Sequence, residues 1–246
     1  MKEDIKLLKE EFRRIRTLGF VESLRDGPTG VGYTFETLLN KKEDQDTKPD
    51  FKSIELKCKL GYSKSSLCLF NCVPTRNNES AMKYIYNTYG HFRFGNEKDY
   101  KLFERKVYSR YAIKRFGYEF KLKVDYYNMQ VIMKSYYNGS FVENVCHWDF
   151  KVLERKLKIK LSCLAIIQAY PYLRKNKKYY KYVKIDFYKL IGFFEFLRLI
   201  ETDKVFISFY MRSALGNNGE NIIKDHGVGF KLKNNCIEEL FYRVGQ

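Results

Sequence analysis

At 246 residues the chain can bury a large core, as one big domain or two modest lobes, and its 45% hydrophobic content excludes wholesale disorder. The 46 Lys and Arg against 29 Asp and Glu leave a net charge of +17, more than solubility needs, which favours a polyanionic partner, nucleic acid before all others. No long basic amphipathic helix points to a lipid surface instead. The charged, helix-patterned N-terminus is unlike a signal peptide, and the apolar stretch Leu190–Leu197, interrupted by Glu195, is too short to cross a bilayer. A cytoplasmic protein is the expectation, with its six scattered cysteines reduced and mostly in the core.

In chain order, residues 4–17 predict an amphipathic helix with Ile5, Leu8, Phe12 and Ile15 on one face. The glycines from Gly27 to Gly32 predict a tight loop, after which Thr34 can cap a helix through Phe35, Leu38 and Leu39 with Glu36 in its first turn. This loop lacks the spacing of a dinucleotide fingerprint and the Lys-Ser/Thr of a phosphate loop. Residues 41–49 are charged and loop-like.

From Ser53 to Leu60 the chain alternates strictly, so a strand is expected, with Glu55 and Lys57 on one face pointing out of the apolar layer. Gly61 to Ser65 predicts a hairpin turn, and Ser66 to Val73 its return strand. A short helix at 79–88, strands around Tyr118–Asp125 and Met129–Tyr137, an Asn138-Gly139 turn and a helix over 149–156 follow. Lys156, Lys158 and Lys160 alternate with Leu157, Ile159 and Leu161, which reads as a strand with one basic face. The basic run Arg174–Lys184, interleaved with Tyr179, Tyr180 and Tyr182, suits phosphate contact. A helix over 188–200, a strand over Val205–Arg212, an exposed loop at Gly216–Gly219, a strand over Gly227–Lys233 and a helix over 236–243 complete the pattern. The fold class is α/β, a mixed sheet with flanking helices.

The chemistry lies in Pro49-Asp50 followed by Glu55-Leu56-Lys57. Asp50 arrives from a turn at the strand mouth, and its carboxylate and that of Glu55 can hold a hard divalent cation, typically Mg²⁺. The Lys57 ammonium beside them can orient a water or offset charge on a phosphate oxygen. A solvated Glu–Lys pair on a half-exposed strand is the competing reading.

Pro49, Asp50, Glu55 and Lys57 are in register with the PD-(D/E)xK nuclease motif. With Gly32-Tyr33-Thr34-Phe35-Glu36 upstream, the order of parts resembles the MutH-like nucleases, and within them the MvaI/BcnI family of type II restriction endonucleases. Tyr210-Met211-Arg212 and Asp225-His226-Gly227 are similar to that family's DNA-contacting segments.

The resemblance implies a PD-(D/E)xK nuclease-like fold with two lobes around a DNA-binding cleft: residues 1–110 a catalytic lobe, residues 111–246 mainly a recognition lobe, with some C-terminal elements packed on the first. It implies a bacterial, Mg²⁺-dependent monomer that cuts the strands of double-stranded DNA in successive events at a CCNGG-type site, most simply CCWGG. A cognate DNA methyltransferase would protect the host. A strand-nicking repair enzyme and a non-catalytic basic DNA-binding protein are the alternatives.

Asp50, Glu55 and the Leu56 carbonyl would hold the metal. Lys57 would position or deprotonate the water, or stabilise the transition state, and Glu36 would assist through a water or by orienting Lys57. Arg212 can read guanine, or contact a phosphate. Asp225 can accept from cytosine, or shape a turn, and His226 can do either job of base reading. Lys59, Lys175, Lys177, Lys178 and Lys181 are the expected phosphate contacts.

Overall fold

The computed structural model describes residues 1–40, 48–61, 63–77, 79–93, 100–215, 221–225 and 227–245. The expected loops at 41–49 and Gly216–Gly219 therefore lie wholly or largely outside the described residues, as do His226 and Tyr62 of the expected hairpin turn. The chain forms two compact units, one of Met1–Ser65, Lys156–Gly192 and Ile237–Gln246, the other of Ser66–Arg155 and Phe193–Cys236. The expected boundary near residue 110 falls inside the second unit, because the chain passes between the units four times, and the C-terminal stretches Lys156–Gly192 and Ile237–Gln246 belong to the first.

The first unit opens with α1 (Lys2–Thr17), β1 (Phe20–Glu22), α2 (Gly30–Leu38) and β2 (Glu55–Leu60). The second contributes β3 (Leu67–Asn71), α3 (Ala81–Tyr89), β4 (His91–Arg93), β5 (Tyr100–Val107), β6 (Tyr118–Asp125), β7 (Gln130–Tyr137) and β8 (Ser140–Asp149). Helix α4 (Phe150–Leu161) leads back to β9 (Cys163–Arg174) and β10 (Lys177–Leu190) of the first unit. Then come α5 (Phe193–Glu201), β11 (Val205–Leu215), β12 (Asn221–Asp225) and β13 (Gly229–Leu232) of the second, and α6 (Ile237–Leu240) and β14 (Phe241–Val244) of the first.

The first unit's sheet has the order β1-β10-β9-β2, with β14 also paired to β10. Strand β2 runs parallel to β9, with Glu55 opposite Leu164 and Leu60 opposite Ala169. Leu164, Ala165, Ile166, Ile167 and Ala169 are all buried, the near-continuous apolar run of a parallel strand covered on both faces. Ile5, Leu8, Phe12 and Ile15 of α1 pack with Phe35, Ile54, Leu56 and Tyr182 in one core, each full burial contributing about 1.5–3 kcal/mol. The second unit holds the sheet β3-β13-β11-β5-β4, with β12 on β11, and the meander β6-β7-β8. Its core centres on Trp148, whose ring meets Phe230 at 5.5 Å and whose indole N–H donates to the Cys72 carbonyl at 2.9 Å.

Six local expectations are corrected. The hairpin of β2 with β3 does not form: β2 pairs with β9 and β3 with β13, since a turn reverses the chain without choosing its partner. Helix α2 starts at Gly30, not after Thr34; Thr34 is buried inside it, and its hydroxyl accepts from the Leu24 N–H at 3.0 Å. Gly30 serves close packing rather than a loop, because a Cβ there would stand 2.4 Å from the Arg25 carbonyl oxygen and 2.9 Å from the Tyr180 hydroxyl.

Residues 156–161 are helical: Leu153, Leu157 and Leu161, four apart, are fully buried while Ile159 is 47% exposed. Strand β10 runs on through Leu190, so α5 begins only at Phe193. The C-terminus is a single helical turn followed by β14, which pairs Phe241 with Leu190. None of the six cysteines is in a disulfide; four are buried, Cys58 is half-buried and Cys68 exposed.

Candidate active site

The site is built around the mouth of β2. Phe51 and Ile54 exchange backbone hydrogen bonds of 2.9 and 2.8 Å, with Lys52 between them in the left-handed region at φ 52°. This tight turn carries Asp50 back over the start of the strand, where its Oδ2 accepts from the Leu56 N–H at 3.0 Å. The N–H and C=O of one strand residue face the same edge. The Leu56 carbonyl therefore lies on the Asp50 side, away from β9, which is the one neighbour of β2 among the described strands. Ser53 Oγ donates to Asp4 on α1 and fixes the turn to the helix.

Glu55 and Lys57 share a face, as the alternation requires, but that face is covered. Glu55 is 0% exposed, which removes the solvated-pair reading. Its Oε1 takes the Lys57 ammonium at 2.5 Å and that of Lys160, from the last turn of α4, at 3.5 Å. Oε2 is buried and accepts no hydrogen bond among the described residues. Burial pushes the Glu55 carboxyl up to about 7; Lys57 opposes the shift, the Asp50 charge adds to it, and Lys160 opposes it more weakly.

A buried carboxylate oxygen with no donor calls for a partner. A hard divalent cation is one, and Asp50 and the Leu56 carbonyl supply the further oxygens it would need. The donor set thus fits Mg²⁺ or its like, with solvent or substrate oxygens completing the shell. Among the described residues no cluster of three His, Cys, Asp or Glu side chains could hold a metal, so any such site rests on two carboxylates.

Glu36 lies in the last turns of α2, half-buried, not in its first turn. It lines a cavity of about 370 Å³ with Lys57, Leu56, Cys58, Arg25 and Tyr33. The Arg25 guanidinium lies 3.8 Å over the Tyr33 ring. Glu36 also helps hold the Cys58 thiol above its ordinary range, after burial, which places the carboxylate near β2. Asp50 and Glu55 are off the wall of this cavity, and Lys57 links the two.

Lys59 is half-buried on β2, and burial depresses its ammonium. The basic run forms the β9–β10 hairpin, whose turn is Lys175-Asn176, both at positive φ. Lys177 pairs with Glu22 at 2.8 Å, and Lys181 lies 5.7 Å over the Phe20 ring. Lys178, displaced by one residue, instead approaches the buried Tyr180 ring at 5.5 Å, so the expected contacts do not form one surface. Arg212 is exposed on β11 opposite Lys224, whereas Asp225 falls opposite Met211. Nothing is described of the Asp225 side chain or of His226.

Lys160 is the site residue missed in the sequence. Alternation put it on a basic strand; the four-residue spacing of Leu153, Leu157 and Leu161 was the signal that would have put it on a helix.

No curated protein sequence matches the chain. The solved structure of the restriction endonuclease MvaI in complex with its cognate DNA substrate is similar at a TM-score of 0.88 and 27% identity, over 99% of this chain and 98% of that one. MvaI in the absence of DNA is similar at a TM-score of 0.63 and 28% identity, over the same shares. The model of the MvaI/BcnI restriction endonuclease family matches residues 9–241, and the chain belongs to that family of type II, site-specific deoxyribonucleases.

Proposed function

We propose that this restriction endonuclease is Mg²⁺-dependent and cuts double-stranded DNA at a CCNGG-type site, most simply CCWGG. The observation that carries the cation dependence is the buried Glu55 Oε2, without a hydrogen-bond donor among the described residues, next in sequence to Leu56, whose N–H holds the Asp50 carboxylate. Asp50, Glu55 and the Leu56 carbonyl hold the cation, which when bound supplies Lewis-acid stabilisation of the phosphate oxygens. Lys57 orients the attacking water or offsets charge on the phosphate, and Glu36, across the shared cavity, orients Lys57. Water attacks phosphorus, the bond to the 3′ oxygen breaks, and a 5′-phosphate and a 3′-hydroxyl result.

Arg212, Asp225 and His226 read base edges from the second unit. Lys175, Lys177, Lys178 and Lys181, with Lys59, contact phosphates; Lys181 and the turn residue Lys175 suit this best, being exposed, whereas the equally exposed Lys177 is paired with Glu22. The enzyme acts as a monomer that cuts the strands successively, in a bacterial cytoplasm where a methyltransferase protects the host site.

Digestion of a plasmid with Mg²⁺, against EDTA and Asp50→Ala controls, tests this reading when the product ends are sequenced. Discrete ends sharing one CCNGG-type site, absent from both controls, are expected. Nicks alone, or ends at an unrelated site, would contradict it.

A further inference from the structure

The chemistry proposed above asks two things of Lys57 that conflict. Its ammonium is held 2.5 Å from Glu55 Oε1. To orient a water or meet a phosphate it has to give up some or all of that contact. Glu55 is fully buried, and a buried carboxylate that loses its counter-ion is strongly destabilised. Even with a cation on Oε2, release of Lys57 would leave the buried Oε1 without a donor, so a site with Lys57 alone would hold its lysine on the carboxylate.

Lys160 resolves the conflict. It approaches the same oxygen, Oε1, at 3.5 Å, from a different element. It stands in the last turn of α4, where a cation also complements the helix dipole, and its neighbours Leu157 and Leu161 are fully buried. Helix α4 then runs directly into β9, whose Leu164 lies opposite Glu55 in the sheet. Lys160 is thus anchored independently of the turn at Asp50 and of β2. With both ammoniums on Oε1, Oε2 is left to the cation.

We infer that Lys160 is a positioning residue, the second counter-ion of Glu55, which keeps the carboxylate fixed when Lys57 turns to the reacting phosphate. This inference rests on the metal-dependent reading of the same site. Lys160 itself need touch neither DNA nor cation.

The test is single-turnover cleavage of one duplex at saturating Mg²⁺ by the full-length protein, with DNA affinity measured in EDTA and thermal midpoints recorded. Lys160→Gln is expected to lower the rate about 10- to 100-fold, the usual span for a residue that orients a ligand, with DNA affinity unchanged. Lys160→Arg should recover most of the rate. On a Lys57→Gln background the same change should have little further effect, because no lysine remains to be released.

Additive losses on the two backgrounds would overturn the inference, as would an unchanged rate in Lys160→Gln. A parallel loss of DNA affinity in EDTA would make Lys160 a phosphate contact and overturn it equally. Lys160→Met carries the same expectations should the amide variant fold poorly. Wild-type cleavage indifferent to EDTA and to Asp50→Ala would instead defeat the metal-dependent reading, and the inference with it.

Discussion

The mouth of β2 and the β11–β12 ribbon, to which the proposed function gives cleavage and base reading, are built in opposite ways. At β2 a fully buried carboxylate, a reversed turn and two lysines from different elements fix each other within 3.5 Å. On β11 Arg212 is exposed and its strand neighbour is another cation, Lys224. Bond cleavage needs a few groups preorganised before DNA arrives. Base reading needs donors that find their acceptors only when DNA is present. Rigidity and burial belong to the first task, exposure to the second.

The largest expected effect breaks the β2 side alone. Asp50→Ala or Glu55→Ala should lower cleavage by at least about 1,000-fold while specific DNA binding persists, as measured by single-turnover assays and by anisotropy. Arg212→Ala should do the reverse. It should weaken preference for the cognate duplex by about 10- to 100-fold, the worth of one bidentate base contact, and leave nonspecific affinity nearly intact.

The burial of Glu55 predicts a pH dependence confined to the same side. Because burial raises its carboxyl to about 7, protons compete with the cation below that pH. Apparent Mg²⁺ affinity should fall about tenfold from pH 8 to pH 6, read from cleavage rates across a Mg²⁺ series. The linked stability has the opposite sense. In the metal-free protein the raised carboxyl contributes fully below its ordinary value of 4.5, and this contribution is lost as pH rises through about 7. Glu55→Gln should therefore be inactive yet melt several degrees higher than wild type at pH 8 without metal. A lower melting temperature would mean that the lysines more than offset the burial.

The smallest effect separates two members of the basic hairpin. Lys181→Ala should reduce the salt dependence of DNA binding by about one counter-ion, with uniform loss across sequences. Lys177→Ala should change less, because Lys177 already pairs with Glu22.

The same contrast explains what was legible in the sequence. Asp50, Glu55 and Lys57 lie within eight residues, and strand periodicity alone places two of them on one face, so local rules sufficed. That the face is covered was not legible, because it depends on α4 and β9, a hundred residues away in the chain. Lys160 was lost for a related reason: Leu157 and Leu161 satisfy a period of two and a period near four alike, and only Leu153 and the exposed Ile159 decide between them. The helix at α1 and the strand β6 were read close to their bounds because each has one apolar face. Strands β7 and β11, buried on both faces over Val131–Met133 and Val205–Ile207, were found from their apolar runs, and β11 continues to Leu215. The partner of β2 was not legible, since a parallel pairing to a distant strand leaves no turn signal between the two.

Anomalous diffraction from crystals of the full-length protein with DNA and Mn²⁺ tests the central claim most directly. One peak within about 2.5 Å of an Asp50 carboxylate oxygen, Glu55 Oε2 and the Leu56 carbonyl oxygen is the expected result. A peak held by other residues, in crystals whose DNA is cut, would contradict the account.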